Sequence, residues 1–283
     1  MADASHHGPR PAWVLGVAFW ASRLPSWERA VQLFRNGGEP DEVAAPRPAP
    51  TMLAPTERRR APDTVALAME LAARACTDAG VDPRELPSVF ACTHGDLAIS
   101  DYMSATLAAD ALSVSPIRFH NSVHNAAAGY WSIGTGCTES YTALSAAEGT
   151  FANGLLEALS QSQASGRPVL LVAYDVAARG PLSTVVQSEG LMGMGLIVSA
   201  APGPRAPRAQ LAWNLRAGAV ETVSSSPGTQ ALAANAMAQC LPVAEALAAS
   251  TPRAVSLRMN QTLTLELDIR PTMREDEAKT ESP

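Results

Sequence analysis

The sequence predicts an α/β fold, a mixed sheet flanked by helices in layers. Three observations carry that expectation. Short apolar runs bounded by turn residues alternate with longer stretches of helical periodicity, the order that lays strands and helices down in sheets and layers. Glycines follow the helical stretches, where a left-handed residue stops a helix. The hydrophobic share, 47% of 283 residues, is enough to bury a sizeable core and excludes a disordered chain.

Taken in order, residues 12–21 form a first buried strand containing Trp13, Val14, Leu15, Val17 and Phe19. The run follows Arg10 and imitates the apolar part of a leader, but it is short, holds two tryptophans and ends at Ser22-Arg23. Residues 35–62, rich in Pro, Gly, Arg and Glu, read as a surface excursion. Asp63 or Thr64 then caps a helix that buries Val65, Met69, Ala72 and Cys76 and stops at Gly80. Residues 88–92 read as a short buried strand and residues 101–112 as a second helix, with Met103, Leu107 and Leu112 on one face as a core stripe. Pro116 closes that stretch, and residues 117–128 read as a loop.

A third helix starts between Ser145 and Gly149 and runs to about Ser160. Strands follow at residues 168–174, 192–199 and 210–215. A long Ala-rich helix over residues 229–248, bent near Pro242, precedes strands at 254–259 and 263–269. The domain is expected over residues 1–270, with a frayed tail at 271–283.

The formal charge of -6, with no basic run longer than Arg58-Arg59-Arg60, argues against nucleic acid or an anionic membrane as the main partner. No segment approaches the ~20 apolar residues of a membrane span, so membrane insertion is not expected, and the acidic balance suits a cytoplasmic protein. Cys76, Cys92, Cys137 and Cys240 are scattered without a C-x-x-C pair, which signals reduced thiols and neither a zinc site nor a disulfide framework. His120 and His124 lack a third ligand at useful spacing, so no metal is expected, nor any cofactor.

An ordered set of features spans Arg58 to Asp175. A helix ends in Asp78-Ala79-Gly80, and a strand is followed by Gly95. Ser115-Pro116 and Phe119 come next, then Asn125-Ala126-Ala127-Ala128-Gly129, Ile133 and Gly136. A short turn leads into an Ala-rich helix with Gly154, and beyond this span Glu189-Gly190 before a further strand reinforces the pattern. Together these resemble the N-terminal half of a beta-ketoacyl synthase of the thiolase superfamily. The stretch from His120 to Ile133, and the segment from Ala233 to Val243, resemble the chain-length-factor subunits of aryl polyene pathways.

The resemblance implies a thiolase-like layered fold and a partner, a catalytic ketosynthase, in a heterodimer reached by an acyl carrier protein. It places Glu148 where active ketosynthases keep their nucleophilic cysteine, counting from Gly136 through Thr138, Ser140 and Ala143 to Ala146-Ala147. A carboxylate suits a helix N-terminus but attacks thioesters feebly. The family's C-terminal histidines and lysine have no counterpart, because no histidine follows His124 in this sequence. No catalytic residue is therefore assigned. Met103, Thr106 and Asp110 correspond loosely to the helix that faces the acyl tunnel, while His120, His124 and Asn125 lie in the stretch beside the dimer seam.

Other readings stand beside this one. Glu148 with His124 makes an acyltransferase or decarboxylase conceivable, and His120, His124, Cys137 and Glu139 crowd one stretch in the manner of a Cys/His nucleophile pair. A stand-alone acyl-chain-binding scaffold is a third possibility. Arg58, Arg59 and Arg60 read first as a solvated run, and second as a contact for a phosphopantetheine arm or an acidic carrier.

Overall fold

A computed structural model describes residues 10–220 and 226–272 and places eight strands in one mixed sheet. The strands are β1 (Arg10–Ala21), β2 (Ser88–Ala91), β3 (Tyr141–Leu144), β4 (Val169–Asp175), β5 (Met192–Ser199), β6 (Ala209–Ala217), β7 (Arg253–Arg258) and β8 (Leu263–Pro271). Their order is β3-β2-β4-β5-β1-β6-β8-β7. Only β3-β2-β4 is parallel, and the remaining pairs are antiparallel.

The helices are α1 (Trp27–Asn36), α2 (Pro55–Arg60), α3 (Asp63–Ala79), α4 (Leu97–Ala109), α5 (Pro116–His120), α6 (Ala126–Thr135), α7 (Thr150–Ser165), α8 (Pro227–Gln230) and α9 (Leu241–Ala248). Trp27 and Leu33 of α1, Phe151 and Leu155 of α7, and Leu241 and Val243 of α9 fill the core on one sheet face. Val65, Leu67 and Met69 of α3 and Trp131 of α6 fill the other. The result is the expected helix-sheet-helix layering of a thiolase-like half.

Strand β1 faces helices on both sides, and a bulge between Val14 and Gly16 changes which parity points where. Ala12 and Val14 share one core with Val17, Phe19 and Ala21, while Leu15, Ala18 and Trp20 join the other. Glycine is required at the bulge because a Cβ on Gly16 would lie 2.4 Å from the Ala75 carbonyl oxygen of α3. The amide of Val17 donates to Asp78 Oδ2 at 2.9 Å, and the same carboxylate pairs with Arg208. A buried donor freed by the bulge is thus satisfied.

Several sequence expectations need correction. Pro62 occupies the N-cap position of α3, and Thr64 instead donates its hydroxyl to Asp96 Oδ2 at 3.0 Å. The second helix starts at Leu97 because the Asp96 side chain accepts from the Ile99 amide, and it ends where Asp110 turns extended. Its supposed core stripe is not one: Leu107 is exposed, and Leu112 lies beyond the helix at 97% exposure. The predicted loop 117–128 holds most of α5 and the start of α6, and the excursion 35–62 contains α2. The third helix runs from Thr150 to Ser165, later at both ends than expected.

The long helix over 229–248 is absent. Asn235 accepts from the Met237 amide and donates to the Glu189 carbonyl, which turns the chain, and Pro242 stands in the first turn of the short α9. The domain boundary at 270 falls inside β8, and most of the expected tail lies outside the described residues.

Candidate functional site

Parallel strands deliver their carboxyl ends to one side of a sheet, and loops leaving those ends build sites. Here β2, β3 and β4 converge in this way. Thr93 and His94 follow β2, Ser145 and Glu148 follow β3, and Asp175 closes β4. Asp175 is only 1% exposed and accepts from the amides of Thr93 (3.0 Å) and His94 (3.3 Å) and from Cys92 Sγ (3.3 Å). Burial raises its pKa above the usual carboxylate range, against those hydrogen bonds, which lower it. Ser145 Oγ donates to the Thr93 carbonyl at 2.8 Å, tying the third strand end to the same loop.

After Ser145 the chain makes a tight turn into α7. Ala147, at φ 48°, is the one non-glycine residue with positive φ among those described. Thr150 Oγ1 donates to the Ala147 carbonyl (2.7 Å) and accepts from the Ala146 amide (3.0 Å), clamping the turn. Gly149 is buried against the link between β7 and β8, where a Cβ would lie 2.1 Å from the Met259 carbonyl oxygen. Backbone strain of this kind persists only where the surroundings enforce it. At its tip the Glu148 side chain is 87% exposed, with Oε2 3.7 Å from Arg258 Nη1.

The structure distributes the other candidates unevenly. His120 and Asn125 line one cavity of about 550 Å³, walled by Leu53, Ile117, Val123, Tyr130 and Ile133 between α2, α5 and α6. Asn125 Nδ2 also donates to the Tyr141 hydroxyl of β3 at 3.1 Å. His124 is not on that wall; its Nε2 lies 2.8 Å from the Cys92 carbonyl oxygen. Met103 and Thr106 are half-buried on α4 and do not line the cavity. Asp110 accepts from Ser113 Oγ and the Leu112 amide, contacts that hold its carboxyl below the usual range.

No hydrogen bond or ion pair joins Glu148 to His124, since each is engaged elsewhere. Cys137 is buried, with Sγ directed at the Leu86 carbonyl, and Glu139 pairs with Arg167, so the crowded stretch does not form a nucleophile pair. Burial pushes the Cys76 thiol up to about 12 and raises those of Cys92 and Cys240 as well. None of those three is a thiolate near neutral pH. Asp175 and Arg258 escaped the sequence reading. An aspartate closing an otherwise apolar strand was the available signal for Asp175, whereas Arg258 reaches the turn only through the tertiary fold.

The family model for the beta-ketoacyl synthase N-terminal domain matches residues 27–263. The chain belongs to this family. No curated protein matches it at a significant level. Among solved structures, this ketosynthase-family chain is similar to the ketosynthase ApeO in complex with its chain length factor ApeC from Xenorhabdus doucetiae, at 19% identity and a TM-score of 0.68, covering 93% of this chain and 99% of that one. The ishigamide ketosynthase/chain length factor is similar at 14% identity and a TM-score of 0.64, covering 93% and 100%. A type II polyketide synthase acyl-carrier protein in complex with its ketosynthase gives 9% identity and a TM-score of 0.69, covering 93% and 100%. These likenesses establish the fold. Among the described residues, no helix is long and apolar enough to cross a membrane.

Proposed function

We propose that this chain is a non-catalytic, chain-length-factor-type subunit that pairs with a catalytic beta-ketoacyl synthase and forms part of the wall of its acyl tunnel. One observation carries the pairing. Of the ten large hydrophobic side chains exposed among the described residues, seven lie between Leu107 and Tyr141, on α4, α5, α6, their connections and β3. Ile133 is 83% exposed and Phe119 61%. Apolar surface concentrated in this way marks a protein interface. Strand β3 adds a free sheet edge beside it.

The lack of intrinsic chemistry rests on Glu148. A solvent-facing carboxylate opposite an arginine is a poor acyl acceptor, and no histidine hydrogen-bonds it. The cavity holding His120 and Asn125 opens among the same helices, and in this proposal the partner closes it into the far end of the tunnel. The acyl carrier protein then meets the complex, in the cytoplasm. An aryl polyene or related polyketide or fatty acid-like product follows from the resemblance of the stretch from His120 to Ile133.

Co-expression with the genomically adjacent ketosynthase and size-exclusion chromatography test the pairing. The expected result is co-elution as one complex, lost when Ile133→Asp is introduced. Separate elution of the two wild-type chains would overturn the proposal and favour a stand-alone scaffold.

A further inference from the structure

A second cavity, of about 440 Å³, lies between α2, α4, α5 and the segment after β4. Arg47, Arg59, Arg60, Arg118 and Arg179 line it, from four separate stretches of the chain. Two carboxylates share the lining, and both are committed. Asp63 pairs with Arg47 at 3.1 Å, and Asp96 accepts from the Ile99 amide and the Thr64 hydroxyl at 3.0 Å each. Five guanidiniums against two carboxylates leave three positive charges around one cavity.

Arg118 lies over the Tyr102 ring at 4.1 Å, and Arg47 also donates to the Ala61 carbonyl at 2.8 Å. The side chains of Arg59, Arg60 and Arg179 are exposed and have no hydrogen-bond or ion-pair partner among the described residues. The guanidiniums outnumber the carboxylates around the cavity, and a multivalent anion bridging several of them offsets their mutual repulsion. Guanidinium is the side chain whose planar donor pairs match phosphate oxygens. Ile99, Ile117, Val176 and Leu191 supply an apolar wall for a carbon framework. The volume falls within the ~300–1,000 Å³ of small-molecule sites.

We propose that this cavity binds a small organic phosphate carrying two or more negative charges, held by Arg59, Arg60 and Arg179. One chain builds the cavity and binding is measured on that chain alone, although Arg60 and Ile117 also border the cavity that holds His120. Failure of the co-elution experiment would leave it standing, and the reverse also holds.

Calorimetric titration of the full chain with inorganic pyrophosphate and with inorganic phosphate, at fixed low salt, tests the proposal. The expected result is saturable one-to-one binding, tighter for pyrophosphate. Arg59→Gln and Arg179→Gln should each weaken it about tenfold, the weight of one charge-assisted hydrogen bond. Arg216→Gln, which removes the partner of Glu266 on the β6–β8 pair, should leave it unchanged. Absence of saturable binding, or equal weakening by all three variants, would overturn the proposal. So would binding of polyglutamate without pyrophosphate, which would mark the cavity as a docking patch for an acidic protein.

Discussion

Replacing Gly149 with alanine tests whether the turn before α7 is locked against the end of β7. The added Cβ would stand 2.1 Å from the Met259 carbonyl oxygen, 2.8 Å from its carbon and 3.0 Å from Asn153 Nδ2. A comfortable carbon–oxygen contact is roughly 3.3 Å, so backbone would have to retreat by about 1 Å. That backbone is held in place: Gln239 Nε2 donates to the Arg258 carbonyl at 2.6 Å, and Asn153 Nδ2 to the Met259 carbonyl at 3.3 Å. Overpacking costs about 1–3 kcal/mol and a strained or lost hydrogen bond about 1 kcal/mol, giving roughly 2–4 kcal/mol in all. At about 2–4 °C per kcal/mol for a domain of this size, the melting temperature should fall on the order of 10 °C. Thermal denaturation followed by circular dichroism measures it. A variant melting within about 1 °C of the parent would refute the locking argument.

Three further outcomes follow from individual residues. Ala147→Gly, which relieves the positive φ, should stabilise the chain by about 1 kcal/mol in urea unfolding, and a destabilised variant would show that the turn carries no strain. Gly129→Ala, inside α6 with nothing within 4 Å of the new methyl, should stabilise it by roughly 0.5–1 kcal/mol in the same assay, and a loss would mean the site is crowded. Asp175 has a folded pKa raised above 3.8, so the native state holds its proton more tightly than the unfolded chain, and this group's contribution to stability falls as pH rises from about that value through the folded pKa. The stability advantage of the parent over Asp175→Asn should therefore shrink with rising pH across that window, and a flat or growing difference would contradict the buried-carboxylate account.

Much of the sheet was legible in the sequence because β1, β4 and β5 are nearly continuous apolar runs and β6, β7 and β8 alternate apolar with polar residues. The run 192–199 matched its strand at both ends, and Gly80 stops α3 in the left-handed conformation expected of it. Strand β3 was missed because Tyr141–Leu144 is four residues long and sits at a half-exposed edge, where neither a continuous apolar run nor strict alternation is needed. Helix α1 was missed because Glu28, Arg29 and Gln32 interrupt its buried Trp27, Ala30 and Leu33 within a short ten-residue segment. The Ala-rich segment after Thr229 has high helix propensity, yet the Asn235 side chain competes for backbone hydrogen bonds and breaks it.

The site was legible in part. Counting along the chain put Glu148 at the turn before α7, which is where the structure has it. The Glu148–Arg258 pair and the five-arginine cavity join residues far apart in sequence and emerge only once the sheet brings them together. Helix α4 misled because only its first turn, with Leu97 and Ile99, is buried, whereas Leu107 is exposed and Leu112 lies past its end, and periodicity alone does not show where a helix leaves the core.

Intact-mass spectrometry of the reconstituted pair after incubation with an acyl-loaded carrier protein tests the central proposal most directly. The acyl mass is expected on the ketosynthase partner alone, with this chain at its unmodified mass. An acyl adduct on this chain, in the complex or by itself, would contradict it.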